Sequence, residues 1–562
     1  MTVKTVAIVA GFLFVSLAMF VQGLLPSLAP EARTAKVSRA VRTDLGDVKW
    51  VKYDAADYSA LEARGRAVYT REGCYYCHSQ YVRPVAGEEL RWGPVSEAGE
   101  YVFDQPHLLG TRRIGPDLTR VGLKHSDDWH YAHHWDPRLT VPESIMPRFP
   151  WLFETLDAPS RDGGGGAPAL EPTDALRRFF TLRADRPIVL FVDERSEAFV
   201  RPAADGRWPI DGTPVLDTSL RKGRAPRLDT RAGLFRVTPA AAVRLIVPST
   251  DLVALVRYLQ KLGTSRGAWR DVFEPQTVAV ATMTVPDTET QRELGREVYD
   301  AHCVGCHGPK GDGAGPAATF LSPLPRDFTA GVFKFHTTPS GTLPTDGDLF
   351  RTITRGVRGT AMPTWHEVSD KERLAVIAFL KTFSRRWTED APATALAFSA
   401  PPRATPDMLA RGRALYAQAK CAECHGESGK GDGPSAAQLK DDFDHPTPPL
   451  DFTRGRFKGG TAVTDLYRAM TVGLDGTPMP SFADSMTDDE RWAISYYVLS
   501  FSAWTDPLTG EPLRLSPGTK AALNSPAVRA GHPRLAVDPA HAAPGVAEAA
   551  APGRRLYPGI RE

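Results

Sequence analysis

Cysteine is scarce in this 562-residue chain, which contains only six. All six occur in pairs, within three copies of the pattern C-x-x-C-H at residues 74–78, 303–307 and 421–425. No cysteine is left over for a disulfide framework or for a free nucleophile, so the sequence excludes a disulfide scaffold and a cysteine-dependent enzyme. Methionine is also rare, with nine residues in the whole chain.

An excess of charge of either sign is missing as well. Lys and Arg together number 68 and Asp and Glu 66, which gives a formal net charge of +2. This balance gives no support for nucleic acid as a partner. Glycine and proline, at 48 residues each, imply long loops of the kind expected where a cofactor fills the middle of a small domain. At roughly 100–200 residues per domain, the length predicts three or more domains.

The C-x-x-C-H pattern is the attachment signature of c-type haem. Its two thiols can each form a thioether bond to the haem, and the adjacent histidine binds the iron. A zinc site would need the cysteine pairs to combine into sets of four ligands, and three pairs do not divide evenly. A redox dithiol would not need a histidine at the same offset three times. We therefore predict three covalently bound haem c groups, attached at Cys74 and Cys77, at Cys303 and Cys306, and at Cys421 and Cys424, with His78, His307 and His425 as iron ligands.

A second iron ligand is predicted from the few methionines. Met362 lies in Gly-Thr-Ala-Met-Pro and Met479 in Gly-Thr-Pro-Met-Pro, 55 and 54 residues after the histidines of their motifs. Met146, in Ile-Met-Pro, is the candidate for the first motif, although its spacing is longer. Methionine and histidine as axial ligands give a high reduction potential and favour electron transfer over chemistry at the iron.

The proximal histidines need an acceptor for their second ring nitrogen. We predict a proline carbonyl in each case, at Pro116, Pro325 and Pro449. The last two occur in the matching segments Pro-Arg-Asp-Phe-Thr and Pro-Leu-Asp-Phe-Thr. A plain turn is the alternative interpretation of these segments.

The chain repeats itself around the three motifs, and we call the repeats units one, two and three. Gly65, Gly295 and Gly412 each stand four residues before a tyrosine, shortly ahead of the motif. A helix carrying such a glycine can be crossed closely by another helix. The candidate partners close each unit at residues 252–262, 372–383 and 490–501. This pair of crossing helices is the class I cytochrome c arrangement.

One long apolar run, residues 5–25, carries no charge. About 20 apolar residues span a bilayer, so we predict a retained transmembrane anchor at 5–28. A cleaved signal peptide is the alternative, although its apolar region usually covers about 7–15 residues. Basic residues after the run would place the bulk of the protein in the cytoplasm by the positive-inside rule. Haem c attachment argues for the opposite side, so we predict a single-pass protein of the bacterial inner membrane with periplasmic haem domains.

The N-terminal part carries a more specific set of motifs. In order they are REGCYYCHSQ at 71–80, RP at 83–84, GPDL at 115–118, SDDWH at 126–130 and VPESIMP at 141–147. This order resembles the membrane-anchored mono-haem subunit of cbb3-type cytochrome c oxidase, the CcoO or FixO family, over roughly residues 1–156 and again near 249–266. The resemblance implies that Cys74, Cys77, His78 and Met146 hold the first haem. It also implies the haem–copper catalytic subunit as a partner. Units two and three resemble the di-haem region of the third subunit, CcoP.

The predicted fold is mainly α, with one N-terminal transmembrane helix followed by three class I cytochrome c domains. The anchor spans 5–28, and the CcoO-like domain covers 29–156 plus 249–266. An insertion of unknown role at 157–248 contains strand-like stretches at 188–192 and 243–247 and is predicted to be a small β segment. The second and third cytochrome c domains are placed at 288–388 and 405–505. A Pro- and Ala-rich tail at 506–562 is predicted to be disordered.

We interpret the chain as a non-catalytic electron-transfer subunit of a cbb3-type terminal oxidase, since it has no copper ligand set and no many-helix core. Electrons would enter from a cytochrome c or a quinol-oxidising complex and leave to the catalytic subunit. The alternatives are the anchored cytochrome c subunit of a nitric oxide reductase, a free-standing membrane-bound shuttle, and a di-haem peroxidase. A cluster of loose histidines is interpreted as polar surface or interface in preference to a metal site: His125, His130, His133 and His134.

Overall fold

The computed structural model describes residues 2–28, 34–42, 48–158 without 86, 188–192, 197–200, 243–269 without 268, and 283–502 without 319, 320, 322, 446, 456 and 461. Within these ranges the chain is mainly helical, as predicted. The predicted tail at 506–562 lies outside the described residues. The same holds for the insertion at 157–248, apart from its strands.

The chain begins with helix α1, Val3–Met19, which continues as a π-helical turn, Phe20–Leu24, and a last turn, Leu25–Leu28. The Thr2 hydroxyl accepts a hydrogen bond from the Thr5 N–H and caps the start. The 22 residues Val3–Leu24 are apolar enough to cross a membrane, and none is buried against the protein. At 1.5 Å per residue they extend roughly 33 Å, which matches a hydrocarbon core of about 30 Å.

A β-hairpin follows the anchor, and the sequence analysis did not predict it. Strands β1, Lys36–Arg42, and β2, Val48–Asp54, pair antiparallel, with Lys36 opposite Asp54. Val37, Ala40 and Val41 are buried, and Ala40 forms a β-bridge with Gly267 beyond the last helix of unit one. The hairpin therefore ties the start of unit one to its end.

Unit one is built on three helices: α2, Ala60–Arg71; α3, Asp127–Trp135; and α4, Thr250–Lys261. Ser59 and Glu62 form a capping box that fixes the start of α2. Short helical segments between them cover Cys74–Tyr76, Glu88–Trp92, Ala98–Tyr101, Pro137–Thr140 and Pro150–Leu152.

Between α3 and α4 in the sequence, the chain forms a four-stranded antiparallel sheet. Its strands are β3, Phe153–Ala158; β4, Ile188–Val192; β5, Glu197–Val200; and β6, Val243–Pro248, in the order β3-β6-β4-β5. The small β segment predicted at this place is therefore confirmed. Because β3 pairs with β6, the chain leaves unit one and returns to it at the same point, and Ser249 then caps α4.

Units two and three repeat one order of helices. Unit two contains α5, Glu289–His302; the short helix Val304–His307; α6, Asp346–Arg355; α7, Asp370–Lys381; and the short helix Arg386–Glu389. Unit three contains α8, Pro406–Gln418; the short helix Ala422–His425; α9, Val463–Val472; and α10, Asp488–Ser500. The capping boxes Ser369–Glu372 and Thr487–Glu490 begin the closing helices.

The first and last helices of each unit cross at the predicted glycine. A Cβ atom on Gly65 would lie 1.9 Å from the Ala254 carbonyl oxygen of α4. The corresponding distances are 2.1 Å from Gly295 to the Ala375 oxygen and 2.1 Å from Gly412 to that of Ala493. No side chain fits at these distances, so only glycine allows the helices to approach so closely.

Candidate haem sites

Each C-x-x-C-H motif lies directly after the first helix of its unit, on a single helical turn. The histidine N–H donates to the carbonyl of the first cysteine in all three: His78 to Cys74 at 3.0 Å, His307 to Cys303 at 2.9 Å and His425 to Cys421 at 2.9 Å. This turn brings the two thiols and the imidazole of one motif to the same region. None of the six cysteines forms a disulfide.

The tyrosine that follows each crossing glycine closes the motif loop in units two and three. The Tyr299 hydroxyl donates to the Gly308 carbonyl at 2.6 Å, and Tyr416 donates to Gly426 at 2.8 Å. Unit one departs from this pattern, because the Tyr69 hydroxyl makes no such hydrogen bond to its motif loop among the described residues. The equivalent tyrosines are thus fully buried in all three units but bonded differently.

The proximal histidines meet backbone carbonyls in a repeated turn. His78 Nδ1 lies 2.8 Å from the Pro116 oxygen, which confirms that prediction. His307 Nδ1 lies 3.1 Å from the oxygen of Arg326, so the choice of Pro325 was wrong by one residue. In unit three the Leu450 backbone takes the corresponding place beside His425, and Pro449 was therefore also wrong. The separation exceeds a hydrogen bond, because His425 Nδ1 has no such partner among the described residues.

The choice of proline was wrong in two units because the residue that the three turns share is an aspartate. In each unit the acceptor precedes an aspartate whose Oδ1 accepts from the N–H of a threonine two residues later. These pairs are Asp117 with Thr119 at 2.8 Å, Asp327 with Thr329 at 2.8 Å and Asp451 with Thr453 at 2.9 Å. The aspartate, not the proline, determines which backbone carbonyl meets the histidine. Proline occupies that acceptor position only in unit one.

The same turn supplies an aromatic ring that the sequence analysis missed. Phe328 stacks on His307 with ring centroids 4.4 Å apart, and Phe452 stacks on His425 at 4.3 Å. The repeated Asp-Phe-Thr was the signal that could have indicated these contacts. Unit one has Leu118 at this position, and a Cβ on Gly115 would lie 2.3 Å from its histidine ring.

Burial sets the protonation of the proximal histidines. It lowers the pKa of His307 to about 4 and that of His425 to about 4, and it also lowers the pKa of His78. These rings are therefore neutral near pH 7, and neutral imidazole is the form that binds a metal. Two thiols and a neutral imidazole on one turn fit the donor set of haem c.

The three candidate methionines share one local geometry. All three side chains are half-buried. The backbone N–H of each methionine donates to the hydroxyl of the residue two positions earlier, and that residue ends a tight turn. The pairs are Met146 with Ser144 at 3.3 Å, Met362 with Thr360 at 3.2 Å and Met479 with Thr477 at 3.3 Å. The repetition supports the equivalence of Met146 with the other two, and their role as iron ligands stays a prediction.

Two of the four clustered histidines are buried in the protein, so the prediction of polar surface was wrong for them. His130 and His134 are only 2% and 5% exposed, and His134 Nδ1 lies 2.7 Å from the His130 carbonyl oxygen. His133 Nδ1 lies 2.7 Å from the Thr140 hydroxyl, and its ring stacks with Trp129 at 4.5 Å. The described residues contain no group of three or more potential metal-ligating side chains. These histidines form part of the core beside the first motif.

Units one and two pack on each other at the second motif. Gly305 lies between the two cysteines of that motif, and a Cβ there would be 2.8 Å from the Leu139 carbonyl oxygen of unit one. Lys124 of unit one forms an ion pair with Glu367 of unit two. The second attachment site thus lies against the segment of unit one that leads to Met146.

Units two and three are joined by charged and polar contacts. Asp475 accepts hydrogen bonds from the Ser340 hydroxyl and the Gly341 N–H, both at 2.7 Å. Arg355 and Asp465 form an ion pair across this interface, with a shortest separation of 3.4 Å.

Comparisons with known proteins agree with this architecture. Residues 37–161 match the family model described as cytochrome C oxidase, mono-heme subunit/FixO. Residues 290–380 match cytochrome C oxidase, cbb3-type, subunit III, and residues 409–502 match cytochrome c.

Two individual proteins are also similar. The cbb3-type cytochrome c oxidase subunit CcoP of Azospirillum brasilense is 26% identical over 237 residues, which cover 40% of this chain and 69% of that protein. A chain of the Kuenenia stuttgartiensis reducing HAO-like protein complex Kustc0457/Kustc0458 is 44% identical, over 39% of this chain and 99% of that one, with a TM-score of 0.38. From the family matches, this chain joins a FixO/CcoO-type mono-haem domain to a cbb3 subunit III domain and a cytochrome c domain.

Proposed function

We propose that this protein is a tri-haem electron-transfer subunit of a cbb3-type terminal oxidase. Haem iron carries one electron at a time by cycling between its ferric and ferrous states. The chain would hold three haems through the six cysteines, with the three motif histidines and Met146, Met362 and Met479 as axial ligands. With a histidine and a methionine bound, each iron would have no position left for a substrate, which would suit electron transfer rather than catalysis.

The observation that carries the proposal is the contact between the FixO-type unit and the second motif. Gly305 leaves no side chain between that motif and the backbone at Leu139. The buried side chains Ala317 and Leu321 of unit two belong to the same apolar cluster as the core of unit one. Cys74 of the first motif and Cys306 of the second both pack against this cluster, and two attachment sites on one core favour transfer between them. In this proposal electrons enter at unit two or three and leave from unit one, because unit one is the part that resembles the mono-haem oxidase subunit.

We propose that the surface of unit one through which electrons leave faces the catalytic subunit. Three large apolar side chains around the first motif are exposed: Tyr76 at 61%, Ile145 at 77% and Trp151 at 61%. Tyr76 lies inside the motif, and Ile145 directly precedes Met146. Such a group of exposed apolar side chains is typical of a protein interface. The N-terminal helix would hold this face near the membrane, with the haem domains on the periplasmic side.

Gentle extraction from native membranes tests the proposal. We expect the complex that co-purifies to contain haem b together with haem c, to give a carbon monoxide difference spectrum and to consume oxygen. Nitric oxide reduction without oxygen uptake would assign the subunit to a nitric oxide reductase instead. Haem c alone, with no partner, would leave an anchored electron shuttle and would contradict the proposal.

A further inference from the structure

A cavity of about 50 Å³ lies between units two and three, away from the cysteines and histidines of the motifs. It has room for a few water molecules or a small ion. The two units line it with corresponding residues. Lys334 follows Phe333 in unit two as Lys458 follows Phe457 in unit three, and Arg351 of α6 corresponds to Arg468 of α9.

The wall of this cavity is strongly cationic. Six Lys and Arg side chains line it, against only two carboxylates, those of Asp348 and Asp465. The Asp348 carboxylate is already engaged by the Thr337 N–H at 2.9 Å and by the Thr345 hydroxyl at 2.9 Å. The Asp465 carboxylate pairs with Arg468 at 3.0 Å and with Arg355. Asp348 also pairs with Arg351 at 3.6 Å, so both carboxylates are already engaged.

Two of these cations have donors without acceptors. Lys334 makes no hydrogen bond or ion pair with any residue in the described part of the chain. Arg468 Nε is buried and likewise has no hydrogen-bond partner there. Burial, together with the neighbouring charges of Lys458 and Arg326, lowers the pKa of Lys334 to about 7. A half-buried lysine without a carboxylate partner is costly to keep charged, and a bound anion would supply the missing partner.

We propose that this cavity is an oxyanion-binding site, in which Lys334, Arg351 and Arg468 hold a carboxylate or phosphate group between units two and three. Guanidinium and ammonium donors together form the usual binding set for such groups. The oxyanion could come from solution as free phosphate, or from a propionate side chain of a haem held by these units. The site requires neither the oxidase partner nor any particular direction of electron flow.

The first experiment uses the purified full-length holoprotein in detergent. Calorimetric titration with sodium phosphate is compared with sodium chloride at equal ionic strength. Saturable phosphate binding that Lys334→Met weakens by about tenfold or more would support the proposal with free phosphate as the ligand. Arg413→Gln is the matched control, because it removes an exposed charge from unit three outside the cavity.

The second experiment detects a propionate from the haem. If phosphate does not bind, potentiometric titration of the same variants should show lower midpoint potentials for the haems of units two and three in Lys334→Met and Arg468→Gln, but not in Arg413→Gln. This result would support the proposal with propionate as the ligand, because loss of a nearby cation favours the ferric state.

The thermal stability of Lys334→Met gives the result that would overturn the proposal. A filled site predicts a lower melting temperature, because the bound anion loses a partner. A higher melting temperature, with no phosphate binding and unchanged potentials, would mean that Lys334 is an uncompensated buried charge and that the cavity binds no anion.

Discussion

The residue that most clearly organises each haem site is the aspartate of the repeated turn. Its carboxylate holds the threonine N–H two residues later, so the preceding carbonyl points at the proximal histidine and the following side chain packs beside the ring. A hydrogen-bonded proximal imidazole has a fixed orientation and a more basic second nitrogen. The three copies differ at the flanking positions, with Pro116 and Leu118 in unit one and Arg326 and Phe328 in unit two.

Replacement of a predicted axial methionine tests the ligand assignment. We expect Met146→His to lower the midpoint potential of the first haem, because thioether ligation favours the ferrous state more than imidazole does. Redox potentiometry of the holoprotein measures this, and oxidase turnover in the assembled complex should fall with it. Met408→His is the control, since Met408 lies on α8 outside the methionine loops. Unchanged potentials in Met146→His would show that another residue binds the iron.

Acid sensitivity of unit one is expected to depend on Glu88. Hydrogen bonds from Arg113 at 2.6 and 2.8 Å lower the pKa of this carboxyl to about 2. A folded-state pKa below the unfolded value contributes stability above about pH 4.5, and this contribution is lost as the pH falls towards 2. Glu88→Gln should therefore melt several degrees lower at pH 7 but approach the parent below pH 3. Glu89→Gln, which changes an exposed neighbouring residue, is the control and should melt like the parent at every pH. A difference in melting temperature between Glu88→Gln and the parent that does not change with pH would contradict this prediction.

At the scale of elements, each unit depends on a pair of helices that touch through backbone. The glycine on the first helix and the carbonyl on the last are at equivalent places in α2 and α4, α5 and α7, and α8 and α10. Large aromatic side chains pack beside each crossing, for example Tyr416 against Tyr497 with ring centroids 5.4 Å apart. The crossing is therefore rigid, and the motif that follows the first helix starts from a fixed position.

A single methyl group should disturb this crossing. Gly412→Ala would place its Cβ 2.1 Å from the Ala493 carbonyl oxygen, so α8 and α10 must separate. Overpacking of this kind costs about 1–3 kcal/mol, and we expect a lower melting temperature in thermal unfolding of the holoprotein. Arg413→Ala, one residue further along the same helix and exposed, should change the free energy of unfolding by less than about 0.5 kcal/mol. Equal stability of Gly412→Ala and the parent would mean that the helices can separate freely.

The helix pairs were predictable from the sequence because their signals are local. Gly–Tyr spacing, capping boxes and apolar runs act within a few residues, and they identified the crossing helices and two strands of the insertion. The β1–β2 hairpin was missed because its stability depends on a bridge from Ala40 to Gly267, more than 200 residues away. The burial of His130 and His134 was missed for the same reason, since only tertiary packing distinguishes a core histidine from a surface one.

At the scale of the whole molecule, one ion pair tests the packing of unit one on unit two. Lys124→Glu should repel Glu367, loosen this contact and slow reduction of the first haem when electrons enter at the other units. Stopped-flow reduction monitored at the haem absorption bands measures the rate. The double variant Lys124→Glu with Glu367→Lys should restore it. Failure of the double variant to recover, with correct folding, would show that the contact does not control transfer.

The cavity between units two and three has a further consequence for assembly. Equivalent residues of both units line it, such as Lys334 and Lys458, but the contact is not isologous, because Arg355 of unit two pairs with Asp465 while unit three has Val472 at the position of Arg355. The contact between units one and two is heterologous, since it joins the Pro137–Thr140 turn of one unit to the motif helix Val304–His307 of the next. A heterologous contact repeated between similar units would grow into a ring or filament, and an isologous one closes the series. Units two and three pack through other surfaces, at Asp475 with Ser340 and at Asp465 with Arg355, so the heterologous contact is not repeated within the described part of the chain.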